Sequence, residues 1–297
     1  MDRLEAMRVA VAVADTGGLS AAGRMLGVPL ATVSRKVSEL EAHIGAQIFM
    51  RAGRGVTPTD AGAAYLGACR RILDAIADAE RTAVGEYAAP QGVITISAPV
   101  VFGRLRLLPI VQQFLDAYPQ IDVQLILADR TVDLSEEHID ASVRIGDLPD
   151  SALKAARIGE TRLMACASPD YIARSGAPLT PADLAARACV SFDRFDGAGH
   201  WAFRQDGRAI EAPVQSRLSV STAEAAIDSA LAGVGVTRVL CYQIREHLRS
   251  GRLVRVLANY EPPPSPIHVI HVGGGRAPMK LRAFLDYATP RLRAALS

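Results

Sequence analysis

Four side chains near the N-terminus have the chemistry to contact the base edges and phosphates of a nucleic acid. Ala31, Thr32, Ser34 and Arg35 lie in one short segment. A guanidinium can donate two hydrogen bonds to guanine O6 and N7 or hold a phosphate, and alanine and threonine methyls suit the thymine methyl. A serine hydroxyl suits a phosphate oxygen. We predict these four as contacts, and the alternative role of Arg35 is a solvated surface arginine.

Two further arginines border a glycine-rich segment. Arg51 and Arg54 flank Gly53, and Gly55 follows. Glycines let a backbone approach closely, and arginine suits phosphates or a narrow minor groove. Arg54 is the favoured groove contact, whereas Arg51 could equally pair with a carboxylate inside its own domain.

These residues need a helix and a hairpin to position them. Helical spacing of apolar residues, interrupted by glycines, predicts helices at Asp2–Asp15, Ala21–Leu26 and Pro29–Ile44, with Ser20 as the cap of the second. Val33, Val37 and Leu40 should face inward, which leaves Ala31 and Arg35 on the outer face. Short extended segments at 47–51 and 56–58 predict a small hairpin, so the segment reads as a winged helix-turn-helix.

A long helix should follow the hairpin, from Asp60 to about Tyr87, with Thr59 as its cap. Two apolar stripes run along it with alternating spacings of four and three. One comprises Ala61, Tyr65, Ala68, Ile72, Ala75 and Ala79, and the other comprises Leu66, Cys69, Leu73 and Ile76. Such stripes predict packing against a partner helix, and the alternative is packing on the helix's own domain.

The pattern changes after a break at residues 88–92, where strands and helices begin to alternate. The predicted strands are Val93–Ala98, Ile121–Leu127, Ala141–Ile145, Thr161–Ala167, Val234–Val236 and Ile267–Val272. The predicted helices are Gly103–Tyr118, Asp133–His138, Ser221–Leu231, Cys241–Arg249 and Pro278–Ala295. This alternation indicates an α/β domain with mostly parallel strands.

Composition and targeting signals exclude several classes of protein. The 297 residues, of which 49% are hydrophobic, fit about two domains, and the net charge of +2 gives no support to nucleic-acid binding by global charge. We recognise no signal peptide and no membrane-length apolar run, so we expect a cytoplasmic chain without a membrane partner. The four cysteines lack zinc spacing, and we expect no metal, no cofactor and no catalytic residues.

The motifs carry a family resemblance that covers essentially the whole chain. The run Ala21–Glu41, followed by Gly45, Phe49, Arg51, Thr57, Thr59 and Ala61-Gly62, closely resembles LysR-type transcriptional regulators. The likeness continues more loosely at Leu134, Ile139–Gly146, Ala232–Val236 and Gly251–Val254.

The resemblance implies a fold, a function and an assembly. The implied fold is an all-α winged helix-turn-helix (1–58) with a linker and dimerisation helix (59–89), then an α/β effector-binding domain like the type II periplasmic binding proteins (90–297). Its two lobes would span 92–162 with 267–297, and 163–266. The implied protein binds an interrupted palindrome in double-stranded DNA as a homodimer or homotetramer. It would sense a small-molecule effector, commonly an organic anion, between the lobes.

Two positions depart from the family pattern. Gly23 stands where many members have alanine, which should weaken its helix by roughly 0.5–1 kcal/mol. Leu30 stands where a polar residue such as glutamine is common, so an adenine-reading amide is absent there.

The effector cleft is expected at the turns that follow the strands of the second domain. Chain order and family likeness give these residues as Ala98, Pro99, Val100, Val101, Asp129, Arg130, Gly146, Asp147, Ser221 and Thr222. Arg130 and Arg144 could clamp an anion, although internal ion pairs with Asp129 or Asp147 are favoured. The aromatic residues Phe192, Phe195, Trp201 and Phe203 could line the cleft, although a role in the core of the second lobe is favoured.

Two other classes of function remain open. One is a solute-receptor-like binding protein that has lost DNA binding, which the N-terminal motif disfavours. The other is a redox-sensing regulator that uses Cys166, Cys189 or Cys241, although reduced cysteines are the favoured state.

Overall fold

The computed structural model describes residues 2–52, 55–83, 89–130, 132–134, 137, 139–149, 153–192, 199–272 and 277–296. Three helices come first, namely α1 (Arg3–Thr16), α2 (Leu19–Leu26) and α3 (Leu30–Ile44), and each is followed by a glycine in the left-handed region. Strand β1 (Phe49–Ala52) pairs antiparallel with β2 (Gly55–Pro58). The predicted helix-turn-helix and hairpin are confirmed.

The start of α2 differs from the prediction that Ser20 caps it. Gly18 occupies the N-cap position without a side-chain hydrogen bond, and the helix already begins at Leu19. Leu19 packs partly buried against the cluster that contains Val13 and Val33. The helix therefore begins at a leucine that gains stability from burial, and no side-chain cap is needed to start it.

The long helix α4 (Asp60–Ala83) follows the hairpin directly. Its Leu66 is buried in a second cluster with Ala6, Ala10, Leu40 and Ile48, which joins α4 to α1 and α3. The predicted end of the helix near Tyr87 lies outside the described residues.

The first sheet of the second domain has five strands in the order β4-β3-β5-β14-β6. Strand β3 runs parallel to β4 and β5, whereas β14 runs antiparallel to β5 and β6. The strands are β3 (Gly92–Ala98), β4 (Ile121–Leu127), β5 (Ala141–Ile145), β6 (Leu153–Thr161) and β14 (Ser265–Val272). Between β3 and β4 lie α5 (Val100–Phe102), a π-helical segment (Gly103–Leu107) and α6 (Leu108–Ala117), and α10 (Met279–Leu296) packs on α6 and β6.

The second sheet has the order β11-β8-β12-β7-β13, in which β8 runs parallel to β11 and β12, and β7 runs antiparallel to β12 and β13. The strands are β7 (Leu163–Ala167), β8 (Ala188–Phe192), β11 (Gln215–Val220), β12 (Val236–Leu240) and β13 (Val254–Val256). Other elements are α7 (Pro169–Ser175), a 3-10 helix (Pro181–Ala186), β9 (His200–Gln205), β10 (Arg208–Pro213), α8 (Ala223–Leu231), α9 (Cys241–Arg249) and a 3-10 helix (Ala258–Tyr260).

The chain passes between the two sheets twice. Arg162 alone separates β6 from β7, and residues 257–264 lead from β13 back to β14. The register places Ser265 opposite Thr161, so the two crossings lie side by side. The architecture is therefore two α/β units connected by a pair of adjacent segments.

Several predicted boundaries in this domain are wrong. The helix predicted to begin at Gly103 begins at Val100. Gly103 lies inside this helical segment and packs closely against β4, since an added Cβ would come 2.2 Å from Leu127 Cδ2. The glycine therefore marks a close contact and not a helix start. The strand predicted at Val234–Val236 is formed by Val236–Leu240. Gly235, just before it, packs against the backbone of Ala188, whose carbonyl oxygen would lie 2.2 Å from an added Cβ.

Three further predictions need correction. Thr161 ends β6 instead of beginning β7, and Ser221 precedes helix α8, which begins at Ala223. The short helix predicted at Asp133–His138 is not formed by its described residues, Asp133, Leu134 and Glu137. None of the described helices is long and apolar enough to cross a bilayer.

Candidate nucleic-acid interface and ligand cleft

The outer face of α3 presents the four residues that the sequence selects. Val33, Val37 and Leu40 are buried, and this fixes the rotation of the helix. Ala31, Ser34 and Arg35 are consequently exposed, and Thr32 is half-buried. A helix of this kind reads base edges with its N-terminal residues, so the exposed end of α3 has the form of a reading surface.

The charges on α3 are engaged with carboxylates in the unbound protein. The Arg35 Nη1 donates to Glu39 Oε1 at 2.8 Å, and both side chains are largely exposed. One residue on, Lys36 Nζ lies 2.6 Å from Glu5 Oε2 on α1. The guanidinium of Arg35 is thus held along its own helix until a stronger acceptor replaces Glu39.

The wing is fixed to the helices by backbone and side-chain hydrogen bonds. Val56 N donates to Gly17 O at 3.1 Å, and the Glu41 carboxylate accepts from Ile48 N at 2.8 Å and Phe49 N at 3.1 Å. Arg51 pairs with Val56 in the hairpin register, but its side chain and all of Arg54 lie outside the described structure. Both wing arginines therefore stay predictions.

Thr59 connects the wing to α4 and caps that helix, as predicted. Its hydroxyl accepts from Gly62 N at 2.9 Å and donates to the carbonyl oxygen of Gln47 at 2.7 Å. An added Cβ on Gly62 would lie 1.9 Å from the Ile48 carbonyl oxygen. The first turn of α4 is therefore in backbone contact with the segment that leads into the wing.

The two apolar stripes of α4 have different surroundings. Leu66 and Cys69 are buried against the rest of the chain, whereas Ile72 is 42% exposed. Ala75 and Ala79 on the Ile72 stripe are exposed as well. Tyr65, earlier on the Ile72 stripe, packs partly buried beside Leu66, so only the later part of that stripe is open, a division that the sequence did not show.

Ion pairs join α4 to both of its neighbours. Arg70 pairs with Asp15 of α1 at 2.5 Å, and Asp74 pairs with Lys280 of α10 at 2.5 Å. Lys280 also donates to the carbonyl oxygen of Val93 at 2.7 Å. Sequence reasoning missed these residues, because no pattern signals a pair separated by 206 positions.

A half-buried carboxyl group lies at the same junction. Asp140 Oδ2 accepts from Thr95 N at 2.8 Å. Burial raises the pKa of Asp140, while its hydrogen bond to Thr95 and the charge of Lys280 act in the opposite direction. A carboxylate therefore lies next to the contact between α4 and the second domain.

A cavity of about 300 Å³ opens at the carboxyl ends of β3 and β5. Four of the predicted effector residues line it, namely Ala98, Pro99, Arg130 and Asp147. Ser97 and Ser142 also line it, and their hydroxyl oxygens lie 2.7 Å apart. A cavity at the carboxyl ends of parallel strands is the usual ligand position in open α/β sheets.

The other predicted effector residues do not line this cavity. Val101 is buried, and Asp129 Oδ1 accepts from Val100 N at 3.2 Å, so this carboxylate occupies the start of α5. Gly146 N donates to Pro266 O at 2.9 Å. Thr222 caps α8 by accepting from Ala225 N at 3.3 Å, next to Ser221.

The two arginines of the cavity have different partners. Arg130 binds Glu137 through two hydrogen bonds of 2.5 Å, and this pairing lowers the pKa of Glu137. Arg130 therefore makes an internal ion pair, as the sequence analysis favoured, but its partner is Glu137 and not Asp129 or Asp147. Arg144 instead donates to the carbonyl oxygen of Val132.

Described aromatic residues of the second lobe form core, as favoured. Trp201 and Phe203 are buried with Arg238, whose guanidinium lies 5.2 Å and 5.7 Å from their ring centroids. Phe192 is buried in the larger core, and Phe195 lies outside the described residues.

The four cysteines are thiols, and three of them are buried. Cys166 and Cys189 are buried, and burial raises the pKa of Cys166 to about 12. Cys241 is half-buried, with its sulfur 3.4 Å from the Thr161 hydroxyl. A thiol with so high a pKa carries little of the reactive thiolate, so Cys166 gives no support to redox sensing. Within the described part of the chain, no cluster of three metal-ligating side chains occurs.

Comparisons with known proteins agree with this arrangement. Residues 4–63 match the family described as "Bacterial regulatory helix-turn-helix protein, lysR family", and residues 88–293 match "LysR substrate binding domain". A regulator from Xanthomonas campestris pv. campestris, "HTH-type transcriptional regulator", is 33% identical over 288 residues, 95% of this chain and 83% of that protein. The "Probable HTH-type transcriptional regulator LtrA" of Klebsiella pneumoniae is 30% identical over 287 residues, 96% of this chain and 93% of that protein.

A solved structure extends the likeness to the whole fold. CrgA of Neisseria meningitidis, described as a LysR-type transcriptional regulator, superposes with a TM-score of 0.62 at 27% identity. The match covers 97% of this chain and 98% of CrgA.

Proposed function

The chain belongs to the LysR family of transcriptional regulators, and from that premise we propose that the outer face of α3 reads its operator. The observation that carries the proposal is the exposure of Ala31, Ser34 and Arg35 on a helix whose opposite face is buried. Arg35 is assigned to guanine O6 and N7, Ala31 and Thr32 to a thymine methyl, and Ser34 to a phosphate. Arg51 and Arg54 of the wing are assigned to phosphates and the adjacent minor groove.

We propose that two or four copies act together on an interrupted palindrome. The exposed stripe of Ile72, Ala75 and Ala79 on α4 supports pairing with the same helix of a second copy, because a water-exposed isoleucine gains stability on burial. Two α3 helices related by a twofold axis would meet half-sites separated by whole turns of about 10–10.5 base pairs.

We propose that the effector is a small organic anion bound in the cavity at the ends of β3 and β5. The cavity is lined by Arg130, Arg144 and the Ser97 and Ser142 hydroxyls, and by one carboxylate, Asp147. Arg144 is the stronger anchor, since its hydrogen bond goes to a neutral carbonyl group, whereas the charge of Arg130 is balanced by Glu137.

We also propose the domain boundaries at residues 58, 89, 162 and 266.

One experiment tests the regulatory function as a whole. Purified full-length protein is incubated with sheared DNA from its source genome, and the retained fragments are sequenced. A single enriched motif with two related half-sites supports a sequence-specific DNA-binding regulator. That this regulator acts in the cytoplasm and is not an enzyme is a separate part of the proposal. Uniform retention of unrelated fragments would contradict sequence-specific regulation. A duplex that carries the motif then serves as the probe for all variants below.

A further inference from the structure

We infer that Leu30 is a specificity-determining residue that recognises the 5-methyl group of a thymine in the major groove. This inference rests on the proposed role of α3 in reading DNA. It concerns a residue for which the family resemblance supplies no contact, because the amide expected at this position is absent.

The first observation is the exposure of an apolar side chain at the reading end of α3. Leu30 is the first residue of the helix, and it is 50% exposed. The next residue, Ala31, is exposed as well. Neither side chain has a hydrogen-bonding atom, so these two side chains cannot bind a polar base edge or a phosphate oxygen.

The second observation is the close backbone contact between α2 and the turn that leads to Leu30. Gly23 of α2 is buried beneath the turn that leads into α3. An added Cβ on Gly23 would come 2.9 Å from the Val28 carbonyl oxygen and 3.8 Å from Leu30 N. The backbone of the turn therefore rests directly on α2. The two departures from the family pattern, Gly23 and Leu30, are thus neighbours in space.

The chemistry of the major groove then selects the ligand of this apolar edge. Guanine, cytosine and adenine present hydrogen-bonding atoms there, whereas thymine alone adds a methyl group. Burial of a methyl group against leucine removes apolar surface from water on both sides. A thymine methyl is therefore the group in the groove that Leu30 can recognise, in addition to the methyl proposed above for Ala31 and Thr32.

The position of this thymine follows from helix geometry. Leu30 and Ser34 lie four residues apart on one face, with Arg35 beside Ser34. Four residues span about 6 Å along a helix, and successive base pairs are separated by about 3.4 Å. We expect the thymine within about two base pairs of the guanine that Arg35 contacts.

The test uses the operator duplex obtained by selection and the full-length protein. Each thymine is replaced, one position at a time in both half-sites, by deoxyuridine, which lacks only the 5-methyl group. At the thymine that Leu30 contacts, wild-type protein should bind the deoxyuridine duplex about fourfold more weakly per half-site than the thymine duplex. This is the factor expected for one buried methyl group. Fluorescence anisotropy titration measures the dissociation constants.

Two variants assign that methyl contact to Leu30. Leu30→Ala should bind the thymine and deoxyuridine duplexes equally at that position. Leu30→Gln should, in a repeated selection from random duplexes, prefer adenine there, since an amide can bind adenine N6 and N7 together. Leu115→Ala removes a leucine of 36% exposure from α6 and should retain the wild-type thymine preference.

The outcomes separate this inference from the proposed function. Loss of the thymine preference in Leu30→Ala alone, with unchanged thermal unfolding, supports the inference. An unchanged preference in Leu30→Ala, or the absence of any deoxyuridine-sensitive position, overturns it. A changed assembly state with an unchanged base preference would show that a second copy covers Leu30, and it would also overturn the inference. Failure of the wild type to select any motif contradicts the proposed function instead.

Discussion

The guanidinium of Arg35 donates to the carboxylate of Glu39 at 2.8 Å, across one turn of the same exposed helix. The arginine that we propose to read a base is thereby paired with a carboxylate of its own helix. An exposed pair at this spacing is worth only about 0.3–0.5 kcal/mol, so a guanine or phosphate can displace Glu39. The pair holds the Arg35 side chain along α3 and lowers the positive charge of the face that we propose for DNA binding.

Replacement of Glu39 by glutamine should strengthen DNA binding. The variant removes a negative charge from the side that faces the phosphates and frees Arg35, so we expect about two- to tenfold tighter binding at low salt. The gain should shrink as salt rises. Titration of operator and unrelated duplexes at several salt concentrations measures it.

A matched control for that variant is Glu246→Gln, which changes the net charge equally at an exposed position of α9 in the second lobe. Its affinity should remain that of the wild type. Equal effects of the two substitutions would show that net charge, and not the contact with Arg35, controls binding.

Substitutions on the two stripes of α4 should have different effects. Ile72→Glu places a charge on the exposed stripe and should dissociate the assembly into single chains with unchanged thermal unfolding of each chain. Leu66→Ala removes a side chain that is 1% exposed and should destabilise the protein by about 2–5 kcal/mol. Sedimentation velocity and denaturant unfolding report on the two properties.

An unchanged assembly in Ile72→Glu would contradict pairing through this stripe. Glu80→Gln, at another exposed position of α4, serves as the surface control, and its assembly should match that of the wild type.

Arg144 should determine whether the cavity binds anions. Small carboxylates are screened for binding by calorimetry, together with their neutral amides. We expect the carboxylates to bind and the amides to bind at least tenfold more weakly, because a hydrogen-bonded charge pair is lost. Arg144→Gln should remove this difference, whereas Arg245→Gln, at an exposed position of α9, should retain it. Equal binding of carboxylates and amides by the wild type would exclude anion recognition.

The half-buried carboxyl group of Asp140 predicts a specific pH dependence of stability. Burial raises its pKa in the folded state, so the folded protein binds this proton more tightly than the unfolded chain does. The contribution of Asp140 to stability is therefore full below its unfolded pKa and falls as pH rises through the folded pKa. Asp140→Asn keeps an acceptor for Thr95 N and removes the charge.

The free energy of unfolding of Asp140→Asn should exceed that of the wild type at pH 7, with a smaller difference at pH 4. Denaturant titrations between pH 4 and pH 8 measure the difference. A larger advantage at pH 4 than at pH 7 would show that the ion-pair neighbour Lys280, and not burial, dominates the titration of Asp140.

Local patterns predict much of the N-terminal unit and less of the second domain. Spacing of apolar residues defines α3 and its outward face, because a short helix is fixed by contacts between near neighbours. The same reasoning misplaces the starts of α2 and α5. At these positions Leu19 and Gly103 pack against residues outside their own helices, and local spacing does not show such contacts.

Contacts between distant residues could not be predicted from local sequence patterns. The sequence suggests that Arg130 and Arg144 have internal partners, but it does not indicate Glu137 or the Val132 carbonyl group. Glu41 offers one signal that was missed. A carboxylate in the last turn of a helix is unfavourable against the helix dipole, and here it accepts hydrogen bonds from Ile48 N and Phe49 N.

The most direct test of the account is base-resolved binding by Arg35→Ala. Wild-type protein and the variant are titrated against the selected operator and a set of duplexes in which each base pair is changed once. The account predicts that Arg35→Ala loses discrimination at one guanine per half-site, with a loss of about 1–3 kcal/mol, and retains it elsewhere. Arg35→Lys should keep the charge without restoring that discrimination. Unchanged affinity and unchanged base preference in Arg35→Ala would contradict the assignment of α3 as the reading helix.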